Sequence, residues 1–508
     1  MTALSRRDAL QLIAAAGGAA AALNAPAFAR QGDPVFQDYQ TAAANDPWTL
    51  IVRDAPAAGF DSQAELISGQ VPDGFAGTLY RNGPGRFSRQ DWRYRHWFDG
   101  DGFLQSWQIG ADGVHHRGRF IETDKWQAEE AAGRFIVPAL GSVPPQPGGL
   151  TGPDDMNVAN TSVILLGDEL LALWEGGSAW SIDPDTLVSQ GARRWGNGLD
   201  GVPFSAHPKR EPETGIVWNF GQDAPGARMI LWKVAPDGRL LDAGLLNDVP
   251  GGMVHDFVIT EHSLVFLVGS YRFDQMRLPF IESFGFDEDA PMVAIAVDKN
   301  DWSVRRTWEL PPGFLFHFGG AWEEADGTIR LDAALSQDAR FAMAGAYDVM
   351  RGQAETETDS QSRHMLVTLA PGGRSRIESL GAGYIEFPQI DPRLTGLRRN
   401  DTWHIAWDAD QPRGATRIER RNLHTGAHDA FDHGPNVYVE EPLFIPAAPD
   451  APEGQGWILH TALNANARRT ELHVFNAGHL SDGPVASWQL GYACPFGFHG
   501  CWRSGGQV

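Results

Sequence analysis

The feature that most restricts this chain is its punctuation. From about residue 57 onward, short runs of β-favouring residues alternate with Gly, Pro, Asn and Asp. The segments 162–166, 170–174, 216–220, 229–234, 254–260 and 264–269 read as strands, as do 293–297, 366–369, 402–407 and 457–462. Turn signals such as Pro236-Asp237-Gly238 and Ala325-Asp326-Gly327 recur about every ten residues, a spacing that leaves a sandwich, a barrel or a propeller. A length of 508 residues, with 18 Trp and 27 Phe, favours a propeller closed into one domain. No repeat of the WD or kelch kind marks its blades. Helical periodicity is confined to 126–132 and 339–350. Asn82-Gly83-Pro84 reads as a backbone turn, and so does Asp99-Gly100-Asp101-Gly102, which lacks the further spaced oxygens of a calcium loop. Segments 138–155 and 351–363 read as surface loops. The first carries Leu140, Val143 and Leu150 and would suit a flap with an apolar tip.

Residues 1–29 differ from the rest. Arg6-Arg7 precedes an apolar, alanine-rich run at 12–23, and Ala27-Phe28-Ala29 offers small residues for cleavage. This pattern reads as a twin-arginine signal, handled by the twin-arginine translocase, and predicts a periplasmic or otherwise exported protein. It leaves 30–508 as the folded domain. The net charge of −23 excludes a nucleic-acid partner, whose phosphates demand a basic footprint, and excludes electrostatic docking on an anionic membrane. An apolar, peripheral membrane contact stays open. Only Cys494 and Cys501 carry thiols; they either pair across a short loop or stay buried and free.

Four of the sixteen histidines stand out by their settings. His207 follows Phe204-Ser205-Ala206, His255 begins His255-Asp256-Phe257 in a β-like run, His317 sits between Phe316 and Phe318, and His499 lies in Gly497-Phe498-His499-Gly500. Each places a polar ring where the pattern expects burial, and a buried imidazole needs partners. His207, His255 and His317 follow one another at intervals of 48 and 62 residues, about a propeller blade each. Inner strands of successive blades would then aim them at a common axis.

The chain resembles the carotenoid cleavage oxygenases, the family that includes apocarotenoid oxygenases, lignostilbene dioxygenases and the retinoid isomerase of the eye. The resemblance spans nearly all of 30–508. It rests on Tyr80-Arg81-Asn82-Gly83-Pro84, His96-Trp97-Phe98-Asp99-Gly100-Asp101-Gly102, Leu173-Trp174-Glu175, Ser205-Ala206-His207-Pro208 and His255-Asp256-Phe257. Glu386-Phe387-Pro388-Gln389-Ile390-Asp391, Glu441-Pro442-Leu443-Phe444 and Gly497-Phe498-His499-Gly500 complete it. The family implies an all-β, seven-bladed propeller with an axial metal site beneath a cap of loops and short helices. It implies one Fe(2+) per chain held by His207, His255, His317 and His499, with Glu175, Glu386 and Glu441 behind three of them, and O2 as co-substrate. Neutral imidazoles suit ferrous iron, and a carboxylate fixes each ring's second nitrogen.

The implied reaction is oxidative cleavage of a C=C bond in an apolar small molecule, a carotenoid or apocarotenoid, to two carbonyl products. Two departures bear on the substrate. Stilbene-cleaving members resemble one another in a Lys and a Tyr that grip a phenol; here Trp174 and Leu140 occupy those positions and point to an apolar polyene. After His317, many members carry Asn-Ala where this chain has Gly319-Gly320. The alternatives are a stilbene- or phenylpropene-cleaving dioxygenase and, in a different class, a metal-free propeller that binds a ligand without catalysis.

Overall fold

The alternation of apolar runs with turn residues produces antiparallel sheets throughout the computed structural model, which describes residues 32–196, 198–353, 361–408 and 414–505. The signal predicted at 1–29 and the middle of the 351–363 loop lie outside the described residues. Three separate four-stranded sheets follow one another in the chain. They are Ser162–Leu166 to Ser189–Ala192, Lys209–Arg210 to Leu240–Leu246, and Val258–Ile259 to Val304–Leu310. A seven-stranded sheet then runs from Phe314–Glu323 to His428–Asp432.

The ends of the chain are laced together. Phe60–Gly69 pairs with Gly113–Phe120 on one side and with Pro484–Gln489 on the other, and Gly500–Ser504 pairs with Gly77–Arg86. First and last sheets thereby form one ten-stranded sheet. Between sheets the core is apolar. Leu171, Phe204, Ile230 and Trp232 pack in one cluster, and Val265, Trp308, Phe318 and Leu331 in another. Each cluster draws on neighbouring sheets, so burial of apolar faces drives the sheets together.

Most predicted strands agree with the observed ones to within a few residues. The exception is 254–260, where only Val258–Ile259 is strand. Ahead of it the amides of Val254 and Phe257 donate to the side chains of Gln222 and Asp256, and a side-chain acceptor replaces a neighbouring strand. Asn82-Gly83-Pro84 is also no turn: it lies inside the strand Gly77–Arg86. Gly83 is required there because a Cβ would sit 2.8 Å from the Phe496 carbonyl oxygen. That close approach lets Phe498 donate to the Asn82 carbonyl and Asn82 donate to the His499 carbonyl, at 2.7 and 2.9 Å.

The helix expected at 126–132 runs from Asp124 to Ala132, capped by the Thr123 hydroxyl and ended by Gly133 at φ 63°. The one at 339–350 is found as a π turn, Phe341–Gly345, followed by the α turn Ala346–Met350. A further helix, Pro34–Asn45, buries only Val35 and Tyr39, too narrow a stripe to show as periodicity. Val35, Tyr39, Trp48, Val349 and Met350 gather in an apolar cluster with Phe496 and Phe498. These short elements thus cover the segment that carries His499.

Candidate metal centre

The four histidines reach one point from different kinds of backbone. His317 lies in the strand Phe314–Glu323, His499 just before Gly500–Ser504, and His207 and His255 in irregular segments ahead of Lys209–Arg210 and Val258–Ile259. The expectation that inner strands aim His207, His255 and His317 is therefore corrected for the first two: a strand carries His317, and loops, free of a strand's fixed alternation, position His207 and His255. All four are buried, and one nitrogen of each lies within 4.8 Å of those of the others. Nε2 of His255 is 2.8 Å from Nε2 of His207 and 3.2 Å from that of His317, which is 3.1 Å from Nε2 of His499.

Carboxylates stand behind three of the rings. Nδ1 of His317 is 2.5 Å from Glu386 Oε2, and Nδ1 of His499 is 2.8 Å from Glu441 Oε1. Nδ1 of His255 is 2.5 Å from Glu175 Oε1. With each Nδ1–H turned to a carboxylate, each Nε2 presents a lone pair to its neighbours. Burial, reinforced by the other rings, pushes His207 well below the usual histidine range, and burial lowers His499 despite Glu441. His317 is opposed by burial but raised on balance by Glu386.

Lone pairs facing one another, backed by carboxylates, call for a cation. Imidazoles about 2.0–2.1 Å from an ion and at right angles set adjacent nitrogens about 2.9 Å apart, against about 3.4 Å for a tetrahedral set. The observed 2.8–3.2 Å falls within the span of separations that one ion can bridge. The donor set fits a divalent transition metal.

The cluster borders a cavity of about 420 Å³. His255, His317 and His499 line it, and so do Trp174 and Leu140, the two positions singled out for substrate. Most of the wall is apolar: Trp97, Phe98, Phe316, Phe341 and Phe498 approach one another edge-on or tilted. Such a pocket holds a ligand by shape and apolar area more than by polar anchors.

The family model described as retinal pigment epithelial membrane protein matches residues 56–504. The chain belongs to the carotenoid cleavage oxygenase family. It is similar to apocarotenoid-15,15'-oxygenase of Synechocystis sp., with 29% identity across 87% of this chain and 93% of that protein. It is also similar to lignostilbene-alpha,beta-dioxygenase isozyme III of Sphingomonas paucimobilis, with 26% identity across 87% and 94%. Among solved structures, cobalt-substituted Synechocystis ACO superposes with a TM-score of 0.80 at 26% identity, covering 90% of this chain and 98% of that one. The likeness shows an all-β, propeller-like fold.

In this oxygenase the sequence pattern missed the groups that support the carboxylates. Glu386 sits at the end of a long strand where Phe387 adopts φ 52° and the pairing shifts register, and it accepts from the Phe387 amide at 2.9 Å and the Ser362 hydroxyl at 3.3 Å. Glu441 and Glu175 lie off the strands; a carboxylate at a strand end can turn toward a ring that a pleated neighbour could not reach. Glu441 accepts from Gln389 at 2.7 Å, from the Gly500 amide at 2.8 Å and from Arg81 at 3.2 Å. Arg81 in the apolar strand 77–86 was the available signal, since a buried arginine demands an anionic partner. The Gly319-Gly320 departure also has a reason: a Cβ on Gly319 would meet the Asp332 carboxylate, which pairs with Arg399 and His364. Cys494 and Cys501 are both free. Asp99 and Asp101 diverge, the first accepting from Ser142 and Gly141, the second pairing with Lys125 and Arg89.

Proposed function

We propose that this oxygenase is a non-haem Fe(II) dioxygenase that uses O2 to split a C=C bond of a carotenoid or apocarotenoid into two carbonyl compounds. The observation that carries the reading is the meeting of an apolar cavity with the four-histidine cluster. His207, His255, His317 and His499 would hold one ferrous ion per chain, with Glu175, Glu386 and Glu441 fixing three of the rings. The ion supplies the one-electron reactivity that lets O2 attack an alkene. Both oxygen atoms end in the products, so the balance requires neither reductant nor general base. The chain's own task is to place the double bond beside the histidines and keep water away. Trp174 and Leu140 make an apolar wall where a phenol-gripping Lys and Tyr would stand, which favours a polyene.

The same reading groups the sheets into seven blades of a single domain at 30–508, with the histidines on the axis. It also takes 1–29 as a twin-arginine signal that sends the protein to the periplasm. Incubation of iron-loaded protein with an apocarotenal and a hydroxystilbene under ¹⁸O2 tests the chemistry. Labelled aldehydes from the apocarotenal support it. Products from the stilbene alone would make the enzyme a phenylpropene dioxygenase, and a protein that retains no metal and cleaves neither would be a binding protein.

A further inference from the structure

His207 differs from its three partners in having no glutamate assigned to it, and the chain compensates through a residue that the cleavage chemistry does not use. Asp256, next to His255, is buried. Its Oδ1 lies 2.7 Å from Lys209 Nζ and accepts the Phe257 amide at 2.7 Å, while its Oδ2 accepts the Phe318 amide at 3.0 Å. Lys209 stands two residues after His207, and Phe318 follows His317. A single carboxylate therefore touches the segments that carry His207, His255 and His317. We propose that Asp256 and Lys209 are positioning residues, a cross-brace that holds three ligand-bearing segments in register for the metal.

The physical need is plain. Two of these segments are irregular at the histidine itself, and their sheet ladders begin only at Lys209 and Val258. The strand that carries His317 shifts register between Leu315 and Phe318, so its pairing there is irregular as well. Meanwhile the Nε2 lone pairs repel one another at 2.8–3.2 Å whenever no cation lies between them. A site built this way spreads apart unless surrounding bonds preorganise it. Asp256 binds to two backbone amides and one ammonium, which leaves little freedom for any of the three segments. Charge-assisted bonds of this kind are stronger than neutral ones, and Lys209, with a side chain only 20% exposed, meets its counter-charge largely out of water.

The brace rests on the reading that the four histidines hold the metal, and cobalt(II) binding separates the two ideas. Full-length wild type, His255→Ala, Asp256→Asn, Lys209→Met and Lys209→Arg are titrated with Co(II) while the visible d–d bands and the thermal melt of each metal-free protein are recorded. Arg420→Met, which removes the cation from the half-buried Arg420–Asp401 pair between the strands Asp401–Trp407 and Arg417–Asn422, with neither residue on the cavity wall, is the control. Asp256→Asn and Lys209→Met are expected to weaken Co(II) about 10–100-fold and alter its spectrum, with metal-free melts that shift no more than the control's. Lys209→Arg should restore most of the affinity, and the double variant should be no worse than the more damaging single, because one interaction is lost in each. Should Asp256→Asn fail to fold, Lys209→Met carries the test. Unchanged Co(II) affinity and spectrum in Lys209→Met would overturn the brace, as would a metal-free melt lowered in step with the affinity. A wild type that binds no Co(II), or a His255→Ala that binds it normally, would overturn the metal site itself.

Discussion

The two ends of the histidine cluster are built differently. At one end His499 backs onto Glu441, which is buried and gripped by Gln389, Gly500 and Arg81. Arg81 is itself buried and also donates to the carbonyl oxygens of Glu441 and Phe498. At the other end His255 backs onto Glu175, whose side chain keeps 31% of its surface open to the cavity that it lines. The first arrangement ties the ligand set into the core; the second sets the carboxylate behind a ligand on the cavity wall. Rigidity and accessibility are thus divided between opposite ends of one centre.

Glu441→Gln is the severest way to break this comparison. Burial pushes Glu440 above the usual carboxylate range, and it stands 3.6 Å from Arg81 Nε where Glu441 stands 3.2 Å from Arg81 Nη1. Burial also opposes ionisation of Glu441, yet His499, Arg81 and the Gly500 amide bring it below that range. Loss of its charge leaves the buried guanidinium only the longer Glu440 contact, and breaking a buried pair typically costs about 3–5 kcal/mol. Denaturant unfolding should show a loss of that size together with loss of iron. Wild-type stability in this variant would mean that the buried end is no anchor.

Glu175→Gln should act on the metal and spare the fold. Its carboxylate stands at the cavity wall, and its loss strands no buried charge. Unfolding is expected to stay within about 0.5 kcal/mol of wild type, while competition with a chelator should reveal metal affinity down by about 10–100-fold. Equal destabilisation by the two glutamine variants would erase the distinction.

A pH series extends the buried end outward. His116 bonds Gln105 at 3.1 Å, and Gln105 reaches the Pro495 carbonyl at 3.5 Å, a few residues from His499. Burial, with a smaller contribution from His115, pushes His116 down to about 3. The unfolded chain takes up this proton near its ordinary value of 6.5 and the folded chain does not. Stability is therefore complete above pH 6.5 and falls as pH drops from there toward 3. One such proton steepens the loss by up to about 1.4 kcal/mol per pH unit. Urea unfolding between pH 6 and 4 should be shallower in His116→Gln; an identical slope would show that other groups govern the acid limit.

Much of this was legible from the residues. Short strands with turn punctuation and the four histidines followed from local pattern, because burial of alternate side chains and the oddity of a polar ring in an apolar run are local properties. The supports were not. Asp256 reads as part of a β-like run, and only the fold shows it joining Lys209 and Phe318, 47 and 62 residues away. Arg81 and Glu441 are 360 residues apart, and no periodicity predicts their meeting. Gly83 looked like a turn because glycine serves two needs, positive φ and close approach; here the Phe496–Phe498 segment presses on it.

The mildest prediction tests the open end through its apolar wall. Trp174 adjoins Glu175, and a Cβ on Gly176 would come within 2.7 Å of its indole ring, so the ring folds back over the turn that presents Glu175. Its replacement by Ala removes apolar surface from the cavity and leaves the histidines untouched. The expected result is a KM for an apocarotenal raised several-fold, about 1 kcal/mol of lost contact, with kcat changed less and iron content intact. A kcat that falls while KM holds would place Trp174 in support of the His255–Glu175 pair, not in the wall that meets substrate. The accessible end would then be braced from behind like the other, and the division of labour between the two ends would disappear.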